Sequence, residues 1–251
     1  MFVQRHREGG NKRRPDELIV EEPLSIQLDG TLVATTMRTP GHDYELAVGF
    51  LHAEAMLAGA PVTGVRYCAD GSAVDTEFNV VTVETSGVAP TPTPRLGSTS
   101  SSCGICGADA IDELTSRLAP LDEALFDPLF LAEIADRVVA SQDLFAKTGA
   151  VHAAATFDHD GSIIHVREDI GRHNAVDKIV GRMILDGEQP TSGLGLFVSG
   201  RASFEMVQKA WAAGFGTVVS VSAPSALAVE TANAGNIQLA GFIRNGEINV
   251  Y

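Results

Sequence analysis

Residues 196–221 read LFVSGRASFEMVQKAWAAGFGTVVSV, and the order of patterns within them decides the fold. The apolar run Leu196-Phe197-Val198 stops at Ser199-Gly200-Arg201, after which Phe204, Val207 and Trp211 recur at helical spacing. Thr217 to Val221 is a second short, β-branched run. A Ser222-Ala223-Pro224-Ser225 turn, a helical stretch from Leu227 and a third run from Ile237 to Ile243 complete a βαβαβ alternation. Such an alternation predicts parallel strands joined by right-handed crossovers. Ligand-binding loops of such sheets gather at the carboxyl ends of the strands, here Ser199-Gly200-Arg201, Ser222 to Ser225 and Arg244-Asn245-Gly246. Neither G-x-G-x-x-G nor G-x-x-x-x-G-K-[ST] occurs, which disfavours a standard dinucleotide fold and a P-loop.

Upstream of this unit the pattern turns antiparallel. Leu24 to Leu32 alternates apolar and polar residues about Asp29-Gly30, a strong hairpin signal. Thr39-Pro40-Gly41-His42-Asp43 then precedes Leu46, Phe50, Ala53 and Leu57, the stripe of a helix with one buried face. Gly64 to Cys68 and Phe78 to Val83 predict another strand pair around Asp70-Gly71. Asp127-Pro128 opens a helix on which Leu131, Ile134, Val138 and Phe145 share a face, closing near Gly149. Val151 to Phe157 and Ile163 to Val166 flank Asp158-His159-Asp160-Gly161 as a further hairpin. Residues 168–174, Glu-Asp-Ile-Gly-Arg-His-Asn, lead into a helix carrying Val176, Ile179, Val180 and Met183. This charged run is either a salt-bridged helix start or an anion site in which Arg172 and His173 sit beside a helix N-terminus.

Chemistry enters at Ser101-Ser102-Cys103-Gly104-Ile105-Cys106-Gly107. A free thiol with a pKa near about 8.5 is only a few per cent thiolate at neutral pH, so a reactive cysteine needs help from its surroundings. Gly104 and Gly107 let the backbone bend, and Ile111, Leu114 and Leu118 predict a helix over 108–118 whose N-terminus lies next to Cys106. Partial positive charge at that terminus lowers a cysteine pKa. Cys-x-x-Cys also fits half a zinc site, a redox pair or a plain turn. Structural zinc needs four ligands, whereas Cys68 stands alone in a strand-like run and no His-x(3 to 5)-His pair exists. The Pro/Thr/Ser/Gly-rich linker Thr85 to Ser100 places the cysteines on a mobile, accessible loop.

A chain of 251 residues with 45% apolar content can bury a large core, as one extended domain or two small ones. The patterns divide it into a basic, disordered tail over 1–16, an N-terminal strand and helix part with linker over 17–100, and a main α/β part over 101–251. Three cysteines argue against a disulfide framework and for a reducing compartment. Met1 to Asp16 lacks the apolar core of a signal peptide, and no run is long enough to cross a bilayer, so a cytoplasmic location is expected. Arg5, Arg7, Lys12, Arg13 and Arg14 against Glu8 give residues 1–14 a charge of +4, which leaves −18 for the rest of a chain whose net charge is −14. A duplex-binding surface is disfavoured by that balance.

Together these segments resemble a known family, the formate dehydrogenase accessory sulfurtransferases (FdhD family). The resemblance runs through Glu22-Pro23-Leu24, Thr39-Pro40-Gly41, Glu45-Leu46-Ala47, Gly49-Phe50-Leu51, Ser101 to Gly107, Thr148-Gly149 with His152, Glu168 to Lys178 as EDIGRHNAVDK, Ser199 to Val207 as SGRASFEMV, Ser222-Ala223-Pro224 and Gly241 to Arg244. It implies an α/β fold similar to cytidine deaminases, a mixed β-sheet layered between helices. It also implies a sulfur carrier required for formate dehydrogenase activity, in which sulfur from a cysteine desulfurase passes through a cysteine persulfide to the bis-molybdopterin guanine dinucleotide cofactor. The persulfide cysteine matches Cys103, and its neighbour matches Cys106. The cofactor-binding stretch matches Phe242, Ile243, Arg244, Asn245, Gly246 and Glu247, and a phosphate-rich cofactor would give Arg201, Arg172 and His173 something to hold. A homodimer would suit a cofactor with two-fold character. Two rival readings stand beside it. A cofactor-binding chaperone would use the cysteines only as a docking loop. A zinc deaminase would use His52-x-Glu54 with Cys103 and Cys106, although Ser102 stands where that signature has proline.

Overall fold

The computed structural model describes residues 1–7, 10–68, 72–92, 107–122, 125–188, 193–244 and 246–251, with the side chains of 107–109 excepted. In chain order the elements are β1 (Phe2–Arg7), β2 (Gly10–Pro15), β3 (Glu22–Leu28), β4 (Thr31–Arg38), α1 (Asp43–Ala53), β5 (Gly64–Tyr67), β6 (Val80–Glu84), α2 (Gly107–Arg117), α3 (Pro128–Val139), α4 (Asp143–Thr148), β7 (His152–Phe157), β8 (Ile163–Asp169), α5 (Arg172–Asp186), β9 (Gly195–Val198), α6 (Phe204–Ala213), β10 (Thr217–Ser220), α7 (Ala226–Ala234), β11 (Gln238–Arg244) and β12 (Glu247–Val250). The alternation read from residues 196–243 appears as parallel pairing of β10 with both β9 and β11. Val218 and Val219 of β10 are both fully buried, as a central strand covered on both faces requires.

This parallel core belongs to a mixed six-stranded sheet in the order β12-β11-β10-β9-β7-β8. Strand β7 runs antiparallel to β9 and β8 antiparallel to β7, so the N-terminal end of β7 lies beside the C-terminal end of β9. Helices cover both faces. On one, Ile179 and Met183 of α5 pack with Val207 and Trp211 of α6, Ala228 of α7 and Leu114 of α2. On the other, Leu131, Ile134 and Val138 of α3 pack on Phe157, Phe197, Val219 and Ile243. The result is a mixed α/β fold with a sheet layered between helices, preceded by a smaller sheet in the order β4-β3-β6-β5.

In that smaller sheet Asp29 (φ 46°) and Gly30 (φ 84°) make the two-residue turn that pairs Leu28 with Thr31. Both central residues of such a hairpin turn need positive φ, which suits Asp-Gly. Helix α1 packs on this sheet through Leu46, Val48 and Leu51 and joins the two sheets by crossing α5. The crossing is close enough that a Cβ on Gly49 would collide with the Asp177 carbonyl, and one on Gly181 with that of Glu45. A polar link bridges the same seam, where Arg167 of β8 holds Glu45 of α1 through Nη2 at 2.8 Å, and behind it Lys209 of α6 ties down Asp177 of α5 at 2.7 Å.

Three segments differ from the sequence reading. The single helix expected from Asp127 to Gly149 is two, α3 and α4, with Gly149 (φ 64°) closing the second. The break is fixed from outside the segment, because the Glu168 carboxylate accepts the backbone N–H groups of Leu144 and Phe145 at 2.8 Å each and so creates a new helix start. Residues 1–16, expected as a disordered tail, carry the two-stranded hairpin β1/β2, with Phe2 opposite Pro15 and the Arg13 guanidinium 4.7 Å from the Phe2 ring centre. Every described residue of that hairpin except Val3 is exposed, so it is solvated as expected but paired. Cys68 follows β5 in a left-handed conformation (φ 61°), and its buried thiol lies 2.9 Å from Thr76 Oγ1. The Asp70-Gly71 turn lies outside the described residues.

Candidate functional site

The motif over residues 168–178 divides between two tasks. Asp169 and Lys178 are fully buried and paired at 2.7 Å. Asp169 also accepts from Gly171 N–H (2.8 Å), Asn174 Nδ2 (2.9 Å) and Thr39 N–H (3.1 Å), while Lys178 Nζ donates to the Thr39 carbonyl at 3.0 Å. A buried ion pair needs this degree of hydrogen bonding to offset desolvation. These residues therefore lock the start of α5 to the Thr39-Pro40-Gly41 turn. Arg172 and His173, on the first turn of α5, are left to face the carboxyl ends of β9 and β10.

At those ends the loops are knitted together. Ser199 Oγ accepts the Ala153 N–H at 2.9 Å and lies 3.2 Å from His152 Nδ1. Ser220 Oγ is 2.8 Å from the Gly200 carbonyl and 2.9 Å from that of Ser222, and Ser225 N–H donates to the Ala202 carbonyl at 3.0 Å. A Cβ on Gly200 would lie 3.1 Å from Arg172 Cδ, so the glycine lets the arginine stem lie across the loop. Arg172 Nε is buried and has no partner among the described residues, and neither has Ser203 Oγ at the start of α6. An orphaned guanidinium nitrogen beside two helix N-termini is an arrangement that accepts an anionic or polar ligand group.

The imidazoles here are uncharged at neutral pH. Burial, reinforced by the neighbouring Arg172 charge, lowers the pKa of His152 and pushes that of His173 down to about 3. His173 Nδ1 lies 3.1 Å from Glu205 of α6, and since a carboxylate only accepts, the neutral ring donates from Nδ1. Next to this cluster is a cleft of about 470 Å³, lined by Val139 of α3, Gln142 at the cap of α4, Phe145 of α4, Val151 and His152 at the start of β7, Phe197 of β9, and Ser199 and Val221 just past the ends of β9 and β10.

The structure brings Arg172, His173 and the loop that carries Arg201 to one edge, with Arg201 itself exposed. The stretch 242–247 is the end of β11 and its hairpin with β12, hung on the same edge by the Phe242 N–H to the Ser222 carbonyl at 3.3 Å. Within it Phe242 is half-exposed with φ 58°, Ile243 is turned into the core, and Arg244 is exposed opposite Glu247 across a turn containing Gly246 (φ 76°). Asn245, Cys103 and Cys106 lie outside the described residues. Helix α2 starts at Gly107, the residue after Cys106. The zinc candidate His52 is mostly buried between α1 and α6, with Nε2 2.9 Å from the Ala212 carbonyl. Among the described residues the group spaced to hold a metal is a different one, His165, Asp186 and Glu188 on the exposed side of β8 and α5.

Sequence reasoning passed over Gln142 and gave His152 no role. The polar triplet Ser141-Gln142-Asp143 interrupting an apolar helical run was the available sign for the first. The second depends on β7 running antiparallel beside β9, a pairing across 46 residues of chain that no local pattern encodes.

The profile of the FdhD/NarQ family matches residues 19–251. A Streptomyces coelicolor protein named sulfur carrier protein FdhD is 46% identical over 259 residues, covering 99% of this chain and 92% of its own. A Mycobacterium tuberculosis protein of the same name is 45% identical over 249 residues, covering 95% and 90%. A crystal structure assigned to a formate dehydrogenase accessory protein of Desulfotalea psychrophila superposes with a TM-score of 0.76 at 22% identity, over 100% of this chain and 94% of that one, which speaks for the fold.

Proposed function

The chain belongs to the FdhD/NarQ family, and from that premise we propose that it carries sulfur on Cys103 to the bis-molybdopterin guanine dinucleotide cofactor destined for formate dehydrogenase. The observation that carries the reading is the match to proteins named sulfur carriers along nearly the whole chain, with the Cys103-x-x-Cys106 pair inside the matched residues. The donor is a cysteine desulfurase charged as a persulfide. The Cys103 thiolate attacks its outer sulfur, the donor cysteine departs as thiolate, and Cys103 keeps the extra sulfur. Delivery is the reverse problem, because a sulfane sulfur has to leave as sulfide. The Cys106 thiolate attacks Cys103 Sγ, a Cys103–Cys106 disulfide forms, and hydrosulfide departs with the electron pair of the broken S–S bond. A cellular thiol then reduces the disulfide. A thiolate at Cys106 is favoured by the N-terminus of α2.

The cofactor is held as cargo. Arg172, with its orphaned Nε, and Arg201 supply positive charge where the rest of the chain is strongly acidic, and Arg244 adds another cation on the strand next to β10. Neutral His173 offers hydrogen bonding without repelling these cations. The test is co-expression with formate dehydrogenase. Cys103→Ser should give enzyme loaded with cofactor yet lacking its terminal sulfur and inactive. Cys106→Ser should slow sulfuration without preventing loading of Cys103. Full formate dehydrogenase activity with Cys103→Ser would leave the protein a cofactor-binding chaperone.

A further inference from the structure

The β1/β2 hairpin lies ahead of residue 19, where the family profile begins, and none of its described residues belongs to an apolar core. Its register puts Val3 opposite Arg14, Arg5 opposite Lys12 and Arg7 opposite Gly10. Directly opposed residues share a face of a sheet, as do residues two apart in a strand, so Arg5, Arg7, Lys12 and Arg14 all stand on one face. Among the described residues their ion pairing is the single Arg14–Asp16 contact at 3.9 Å, between half-exposed side chains. Arg5 thus repels Lys12 across the ladder and Arg14 on the diagonal, in a two-stranded sheet of a kind that is marginal in water.

The backbone of the hairpin is as open as its side chains. The Met1 amino group donates to the Asp16 carbonyl at 3.1 Å and the Asp16 N–H to the Met1 carbonyl at 2.8 Å, so this pair exchanges both of its hydrogen bonds. Such pairs alternate along an antiparallel ladder, and Val3, Arg5 and Arg7 are therefore bonded to β2 while Phe2, Gln4 and His6 turn their N–H and C=O groups outward. On the outer edge of β2 the corresponding residues are Asn11, Arg13 and Pro15, and proline has no N–H to offer. The outer edge of β1 is the complete one.

We infer that β1 receives an acidic, extended segment of another protein as a third strand, with Asp or Glu side chains at alternate positions beside Arg5 and Arg7 and within reach of Lys12 and Arg14. Side chains two residues apart repeat about every 6.5–7 Å in both strands, so carboxylates and guanidinium groups stay in step. The added strand meets the outward N–H and C=O groups and turns clustered like charges into cross-strand ion pairs. A phosphate polymer answers the charges alone, leaves the edge unpaired and, as a long polyanion, is repelled by an otherwise strongly acidic chain.

Fluorescence anisotropy on the full chain tests it, with a labelled peptide of alternating Glu and Thr about ten residues long. At about 50 mM salt the wild type should bind the peptide, and Arg5→Gln/Arg7→Gln should weaken binding by about tenfold or more. Gln4→Glu/Asn11→Asp lowers the net charge equally, but on the opposite face, and should weaken binding by less than about threefold. Gln4→Pro keeps the ladder to β2 and every charge in place but removes an outward N–H, and should also cost about tenfold. No binding by the wild type, equal weakening by the two double variants, or wild-type affinity in Gln4→Pro would overturn the inference. So would tighter binding of a DNA oligonucleotide of the same charge, which would make the hairpin a phosphate-polymer site. No readout involves Cys103, so these outcomes are separate from those for sulfur carriage.

Discussion

Lys178 and Arg172 stand on one helix and meet opposite fates. Lys178 is wholly enclosed, and its charge is answered by Asp169 and two backbone carbonyls. Removing one member of such a pair leaves an uncompensated buried charge and costs about 3–5 kcal/mol. Arg172 keeps Nε without a partner among the described residues, within a cluster of loop ends, which is where the proposed ligand contact falls. From sequence the run over 168–178 could be a salt-bridged cap or an anion site. The structure shows the salt-bridged cap at Asp169 and Lys178, and Arg172 is the residue to which the proposed anion site falls, a division that only the three-dimensional partners of each charge reveal. His173 adds a testable consequence. Below its ordinary 6.5 the unfolded chain takes up a proton at this position, whereas the folded one resists until about pH 3. Stability is therefore lost as pH falls through that window. Asp177, raised by burial to about 6, acts in the opposite sense between its ordinary 3.8 and 6, so the comparison has to be between variants. His173→Gln should show a smaller fall in urea midpoint between about pH 7 and about pH 5 than the wild type. An equal fall would mean that His173 titrates normally in the folded protein.

At the scale of elements, local pattern carries a long way. Asp29-Gly30 marks its hairpin because its turn needs two positive φ values, and the βαβαβ alternation marks three parallel strands because a strand covered on both faces has to be apolar throughout. What escapes is anything fixed at a distance. The split between α3 and α4 is set by Glu168, which is on another strand, and the β7–β9 pairing that brings His152 to Ser199 joins segments separated by a helix and a strand. The closest helix crossing was equally hidden. Gly49 and Gly181 sit inside helices, where glycine costs stability, and only the contact of α1 with α5 explains them. Gly181→Ala should destabilise the protein by about 3 kcal/mol despite the better helix propensity of alanine, since the added methyl meets backbone that cannot move aside. For a chain of this size that is a fall in Tm of roughly 6–12 °C by differential scanning calorimetry. A rise in Tm would show that the helices do not approach as closely as described.

At the scale of the molecule, an acidic body presents a small number of cations at one edge of its main sheet, beside a cleft whose described lining is uncharged. Long-range attraction to polyanions is weak in such a protein, so recognition of a phosphate-bearing cofactor has to come from close, shaped contacts. No helix of the described residues is long and apolar enough to cross a membrane. The chain belongs to a family whose named relatives are sulfur carrier proteins, and the proposed carrier is Cys103 of the Cys103-x-x-Cys106 pair ahead of α2. The most direct measurement of that claim is intact-protein mass spectrometry, with peptide mapping, after incubation with a cysteine desulfurase and free cysteine. The expected result is a gain of one sulfur atom on Cys103, reversed by reductant, absent from Cys103→Ser and retained in Cys106→Ser; sulfur settling only on the buried Cys68, or equal loading of Cys103→Ser, would contradict it.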